Sequence, residues 1–125
     1  MTEDALQIAT ARLLDSTGLV WTHVPNGGLR NKIVAAKLKR MGVKAGVPDV
    51  LIFNPAAEHC GVAIELKVGK NNPTDKQADW IDHLQACGWA CYVCRSIYEV
   101  MAVLQAYYPK YCENRRSKPL LAKLL

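Results

Sequence analysis

Apolar residues recur at near-helical spacing over residues 3–16, where Leu6, Ile8, Ala9, Leu13 and Leu14 precede Gly18, a residue that stops helices. Leu19-Val20-Trp21-Thr22-His23-Val24 then reads as a strand, ended by the turn sequence Pro25-Asn26-Gly27-Gly28. A short basic helix is expected over residues 32–41, with Lys32, Lys37, Lys39 and Arg40 on it and Gly42 as its stop. Val50-Leu51-Ile52-Phe53 is wholly apolar, the pattern of a short strand buried on both faces, and Asn54-Pro55 closes it. Gly61 through Val68 reads as its antiparallel neighbour across a loop.

Thr74-Asp75-Lys76-Gln77 fits a capping box, with Thr74 as N-cap and Gln77 three residues on. The helix it opens runs to about Cys87, with Gly88 where a left-handed C-terminal residue belongs. Trp80, Ile81 and Leu84 lie at helical spacing and read as its core face rather than as a stacking platform. Trp89 to Cys94 is a third core strand. Ser96-Ile97-Tyr98-Glu99 is a second capping box, opening a helix that stops near Tyr108-Pro109. The predicted order, α-β-α-β-β-α-β-α, interleaves helices with a small mixed sheet and makes this an α/β domain.

Neither repeat nor linker interrupts the 125 residues, so one domain over 1–125 is expected, with residues 110–125 as a basic and apolar tail. No apolar run approaches the roughly 20 residues of a membrane span. The opening Met1-Thr2-Glu3-Asp4 is acidic where a signal peptide is basic, so a soluble intracellular protein is expected. Five cysteines, an odd number without a regular framework, fit reduced thiols. The net charge of +5 and a pI of about 9.0 admit a polyanionic partner without identifying one.

Chemistry concentrates in Gly46-Val47-Pro48-Asp49 and, 16 residues after that aspartate, Glu65-Leu66-Lys67. Alternate strand residues share a face, so Glu65 and Lys67 project together while Leu66 enters the core. Charges planted in an apolar strand need partners, because unpaired burial costs several kcal/mol. A hairpin can set the Asp49 carboxylate beside that of Glu65. At ~4 Å and an effective dielectric of 20 the two repel by about 4 kcal/mol, which a hard divalent cation relieves. Mg²⁺ takes one or two carboxylates plus waters and phosphate oxygens, and Lys67 adds a fixed positive charge for a phosphate. That is equipment for phosphodiester hydrolysis. The alternative, a turn-capping Asp49 with a solvated Glu65–Lys67 pair on an edge strand, is disfavoured by the apolar flanks.

Pro48-Asp49 followed by Glu65-x-Lys67 resembles the PD-(D/E)xK nuclease signature. The pattern becomes specific with its surroundings: Asn26-Gly27-Gly28-x-Arg30, Lys39-x-Met41-Gly42-x-x-x-Gly46-x-Pro48-Asp49, Gln77-x-x-Trp80 and Gly88. Together, over about residues 3–100, these resemble the VRR-NUC domain, in the stand-alone form found in phages. The resemblance implies a restriction-endonuclease-like core and a Mg²⁺- or Mn²⁺-dependent endonuclease that leaves 5′-phosphate and 3′-hydroxyl ends. It implies branched DNA as substrate, the four-way (Holliday) junction first, with flap, nicked or duplex DNA, or an idle DNA-binding module, as alternatives. It further implies a homodimer in the cytoplasm of a bacterial or phage-infected cell. Asp49 and Glu65 would ligate the metal with the Leu66 carbonyl. Lys67 would orient or deprotonate the attacking water, Glu3 would supply the first-helix acid (with Asp4 as its rival), and Gln77 would reach the site. Asn26, Arg30, Lys39 and Arg40 would contact DNA.

His23, alone on a strand, reads more readily as a packed or hydrogen-bonded residue than as a catalyst. Cys87-x3-Cys91-x2-Cys94 has zinc-like spacing, yet Cys91 and Cys94 sit an odd number apart on a strand and face opposite sides. No second pair closes a tetrahedron, so no structural zinc is expected.

Overall fold

The computed structural model describes residues 1–25 and 31–113. Thr2 starts the first helix by accepting a hydrogen bond from the Ala5 amide, and α1 runs Glu3–Thr17. Gly18 ends it in the left-handed region at φ 81°. Leu6, Leu13 and Leu14 are wholly buried, whereas Ile8 falls on the solvent side of α1. Three further elements follow: β1 (Trp21–His23), α2 (Lys32–Arg40) and β2 (Val50–Ile52). The rest of the order is β3 (Val62–Leu66), α3 (Asp75–Ala86), β4 (Ala90–Cys94), α4 (Ile97–Tyr107) and a short α5 (Pro109–Cys112). α5 is an addition to the predicted order, made by Pro109 restarting a helical turn just where it ended α4.

The four strands form one sheet in the order β1-β2-β3-β4, antiparallel for the first two pairings and parallel for β3 with β4. The parallel pair needs a crossover, and α3 supplies it. β3 is therefore central, and all five of its residues are buried. That removes the edge-strand alternative for Glu65 and Lys67. One sheet face carries Val50, Ile52, Val62, Ile64, Leu66 and Cys94 into the core beneath α1 and α4, where Leu6, Leu13, Val100 and Leu104 meet them. The other face carries Glu65, and α3 packs on that side.

Several expectations need correction. β2 is not buried on both faces: Leu51 is half-buried, and Phe53, 46% exposed, lies past the strand with its ring edge-on to Trp89 at 5.9 Å. β1 and β3 are shorter than predicted at both ends, β2 at its end and β4 at its start, although Val24, Phe53 and Lys67 still donate backbone hydrogen bonds to the neighbouring strand or its flank. Trp80, Ile81 and Leu84 are only half-buried, and no residue of α3 is fully so. The second capping box is half a box. Ser96 accepts from the Glu99 amide, but Glu99 reaches back one residue further, to the Arg95 amide at 2.6 Å. α2 has a side-chain cap at Asn31 and no buried residue. Among the described residues, no helix is long and apolar enough to cross a membrane.

Candidate active site

The β2–β3 register pairs Val50 with Ile64, so one step further sets Asp49 opposite Glu65, on the sheet face turned to α3. Asp49 is held from two sides. Its carbonyl accepts from the Val24 amide at 2.9 Å and from Nδ1 of His23 at 2.7 Å. A carbonyl only accepts, so that ring nitrogen carries a proton. Its carboxylate Oδ2 accepts from the Leu66 amide at 2.7 Å, which clamps the head of β2 to the end of β3. The preceding loop is pressed on α3: at Gly46 (φ 94°) a Cβ would lie 2.7 Å from the carbonyl carbon and oxygen of Lys76.

Glu65 is only 2% exposed and Lys67 9%, deep for two charged side chains. Oε1 of Glu65 accepts from Nε2 of Gln77 at 3.1 Å. Oε1 of that same Gln77 accepts from the Thr74 amide at 2.8 Å, so the reciprocal capping box and the contact with Glu65 coexist. Oε2 of Glu65 is buried with no hydrogen-bond partner among the described residues. The Glu65 pKa is raised from 4.5 to about 8, by burial above all, then by the Asp49 charge and by a hydrogen bond to Asp49 open only to the protonated acid. Lys67 works against the rise, and Glu3 adds slightly to it.

These groups line a cavity of about 380 Å³ together with Glu3, Asp4, Gln7, His23 and Pro25. Glu3 and Gln7 are one helical turn apart on α1 and share a face. Among the described residues Oε1 of Gln7 likewise has no partner, and it is buried. The orphaned Oε2 of Glu65 beside a second carboxylate fits a hard cation with oxygen ligands. Among the described residues no three of His, Cys, Asp and Glu converge into a complete cage. Two carboxylates are nonetheless the usual protein share for Mg²⁺, whose other ligands are water and phosphate.

The family model of the VRR-NUC domain matches residues 1–97. The chain belongs to the VRR-NUC family. It is thus a nuclease domain of the PD-(D/E)xK type, a class that typically uses divalent metals, and DNA is its partner. A solved structure titled "VRR_NUC domain protein" is 32% identical, with a TM-score of 0.70 over 87% of this chain and 89% of that one. Comparison with curated proteins finds no match. The α/β sheet flanked by helices is the fold expected of this family.

Asp49, Glu65, Leu66, Lys67, Gln77 and Glu3 all meet at the VRR-NUC cavity. Asp4 lines it as well, so lining alone does not separate it from Glu3. Lys39 is elsewhere, on a second cavity, and Arg40 lines neither. Asn26 and Arg30 lie outside the described residues. Gln7 and His23 are additions to the expected set. Gln7 was signalled by its four-residue spacing from Glu3, and His23 by the strand pairing that sets it opposite Val50.

Proposed function

We propose that this VRR-NUC chain is a Mg²⁺- or Mn²⁺-dependent, structure-selective DNA endonuclease, with the four-way junction as its leading substrate. The observation that carries the metal requirement is the donorless Oε2 of Glu65, buried beside Asp49. Asp49 and Glu65 would hold the ion with the Leu66 carbonyl. The ion, when bound, supplies Lewis-acid polarisation of the phosphate and lowers the pKa of water. Lys67, one residue past the end of β3, orients the attacking water, helps take its proton and faces the charge growing on the phosphoryl oxygens. Gln77 keeps Glu65 in register through Oε1. Glu3 supplies a further acid at the cavity mouth, and Lys39 and Arg40 supply charge for the DNA backbone. The preference for a junction, the paired action of a homodimer and a cytoplasmic setting extend from the family resemblance.

A panel of four-way, flap, nicked and duplex DNAs with Mg²⁺, Mn²⁺ or Ca²⁺ tests the reading. Junction cleavage in Mg²⁺ or Mn²⁺ is expected, leaving 5′-phosphates. Asp49→Asn and Glu65→Gln should lose both cleavage and calorimetric Mg²⁺ binding, and Lys67→Ala cleavage alone, because an ammonium ligates no cation. Cleavage in EDTA, or undiminished Mg²⁺ binding by Glu65→Gln, overturns it.

A further inference from the structure

A second cavity, of about 440 Å³, lies between α2, the loop that follows it and the first turns of α3. Its character is opposite to that of the first. Among the described residues, four carboxylates (Glu3, Asp4, Asp49 and Glu65) line the catalytic cavity against one lysine, whereas Lys39, Lys44 and Lys76 line the second with no acidic residue beside them. Leu38 and the half-buried Trp80 supply an apolar wall and an indole. The two cavities meet: Pro25 lines both, and the adjacent α3 residues Lys76 and Gln77 line one each.

From this we infer that the second cavity is a nucleotide pocket, which takes one unstacked nucleotide of the substrate strand next to the scissile phosphate. The inference rests on the nuclease reading above and specifies how that site selects DNA. An acid-lined cavity repels a phosphate backbone at every position except the one a cation bridges. The strand therefore needs an anchor just outside, and the three lysines lining the adjoining cavity are placed to provide it. A run of lysines alone would track any backbone. Trp80 adds what a backbone track lacks, a ring on which a base stacks whatever its sequence. The volume is that of an ordinary small-ligand pocket. A base must leave its helical stack to enter, which is cheapest where pairing is already broken. The pocket thus favours cuts beside a branch point, bulge or mismatch over cuts within intact duplex.

The test uses the full chain in Ca²⁺, with 2-aminopurine placed in turn at each nucleotide around the branch point of a junction. One position beside the cut should change its emission with the wild type, lose that change in Trp80→Leu and largely regain it in Trp80→Phe. In Mg²⁺, Trp80→Leu should raise KM about 5- to 100-fold, well beyond any fall in kcat. Lys44→Gln should raise KM about 3- to 10-fold and lower the slope of log affinity against log salt by about one. The inference is overturned if Trp80→Leu, folded by circular dichroism, matches a cleaving wild type in KM and emission, whatever Lys44→Gln does. Should Trp80→Leu fail to fold, Trp80→Gln, which also removes the ring, takes its place and decides by the same two readouts. Failure of the nuclease reading looks different: the wild type then cuts no DNA in Mg²⁺ or Mn²⁺, while the emission titration still reads the pocket.

Discussion

Replacing the buried acid at the heart of the site should make the metal-free protein more stable. Glu65 stays protonated in the fold up to about pH 8 against an ordinary 4.5, chiefly because burial disfavours its charge. Below pH 4.5 it is neutral whether folded or unfolded, and no penalty applies. Between 4.5 and 8 only the unfolded chain has released the proton, so stability falls as pH rises, and above about 8 the loss is complete. At about 1.4 kcal/mol per pH unit the ceiling is about 5 kcal/mol, and relaxation around the pair reduces this to an expected 2–3 kcal/mol. Glu65→Gln removes the titration, keeps an oxygen for Nε2 of Gln77, and gives Asp49 an amide donor. Melting followed by circular dichroism in EDTA should show the variant within about 1 kcal/mol of wild type at pH 5. At pH 9 it should melt higher by roughly 6–15 °C, at roughly 3–5 °C per kcal/mol for a chain of this size. Mg²⁺ at about 1,000 times Kd should reverse the order, because it then stabilises the wild type by about 4.1 kcal/mol and the variant not at all. A variant less stable than wild type at pH 9 in EDTA, or one equally stabilised by Mg²⁺, would refute the reasoning.

Three further outcomes are expected. Gln77→Ala breaks a capping bond and the Glu65 contact together; it should cost about 0.5–2 kcal/mol in denaturant melts, yet slow cleavage at least tenfold well below melting. Equal turnover per folded molecule would assign Gln77 to the cap alone. Gly46→Ala forces both a left-handed φ and a 2.7 Å clash with the Lys76 backbone, so it should lose more than about 2 kcal/mol and drag the first turn of α3 from the site, read as a lower cleavage rate. The chain should run as a dimer in light scattering and cut a supercoiled cruciform in paired symmetric incisions; a 13.8 kDa monomer with uncorrelated nicks counts against it.

Much of the site was legible because a strand has a period of two. The common face of Glu65 and Lys67 follows from that period alone, whereas the place of Asp49 opposite Glu65 comes from the β2–β3 register. The Thr74–Gln77 box was legible for the same local reason, and its second role was available from the family pattern. What escaped was direction on helices. Trp80 at helical spacing fits burial in a core or the wall of a cavity equally well, and only the placement of α2 and Gly46 decides between them. The second box misled because Glu99 has a rival amide donor one residue before the cap. Phe53 escaped because an apolar residue past a strand's end looks the same in sequence as one within it. Contacts from Asn26, Arg30 and the leucines of the tail (Leu120, Leu121, Leu124 and Leu125) fall outside the described residues.

The double engagement of Gln77 restricts which residues position 77 can exchange with. Its oxygen must accept from the Thr74 amide while its nitrogen donates to Glu65. Glutamate keeps the first bond and aims a second negative charge at a buried acid; lysine and arginine donate but cannot accept; asparagine lacks one methylene of reach. The usual equivalence of Glu and Gln at the third position of a helix therefore fails here. A related chain with Glu at this position would retain a sound helix start and an altered acid. In this chain that single letter sets the electrostatics of Glu65 as well as the start of α3.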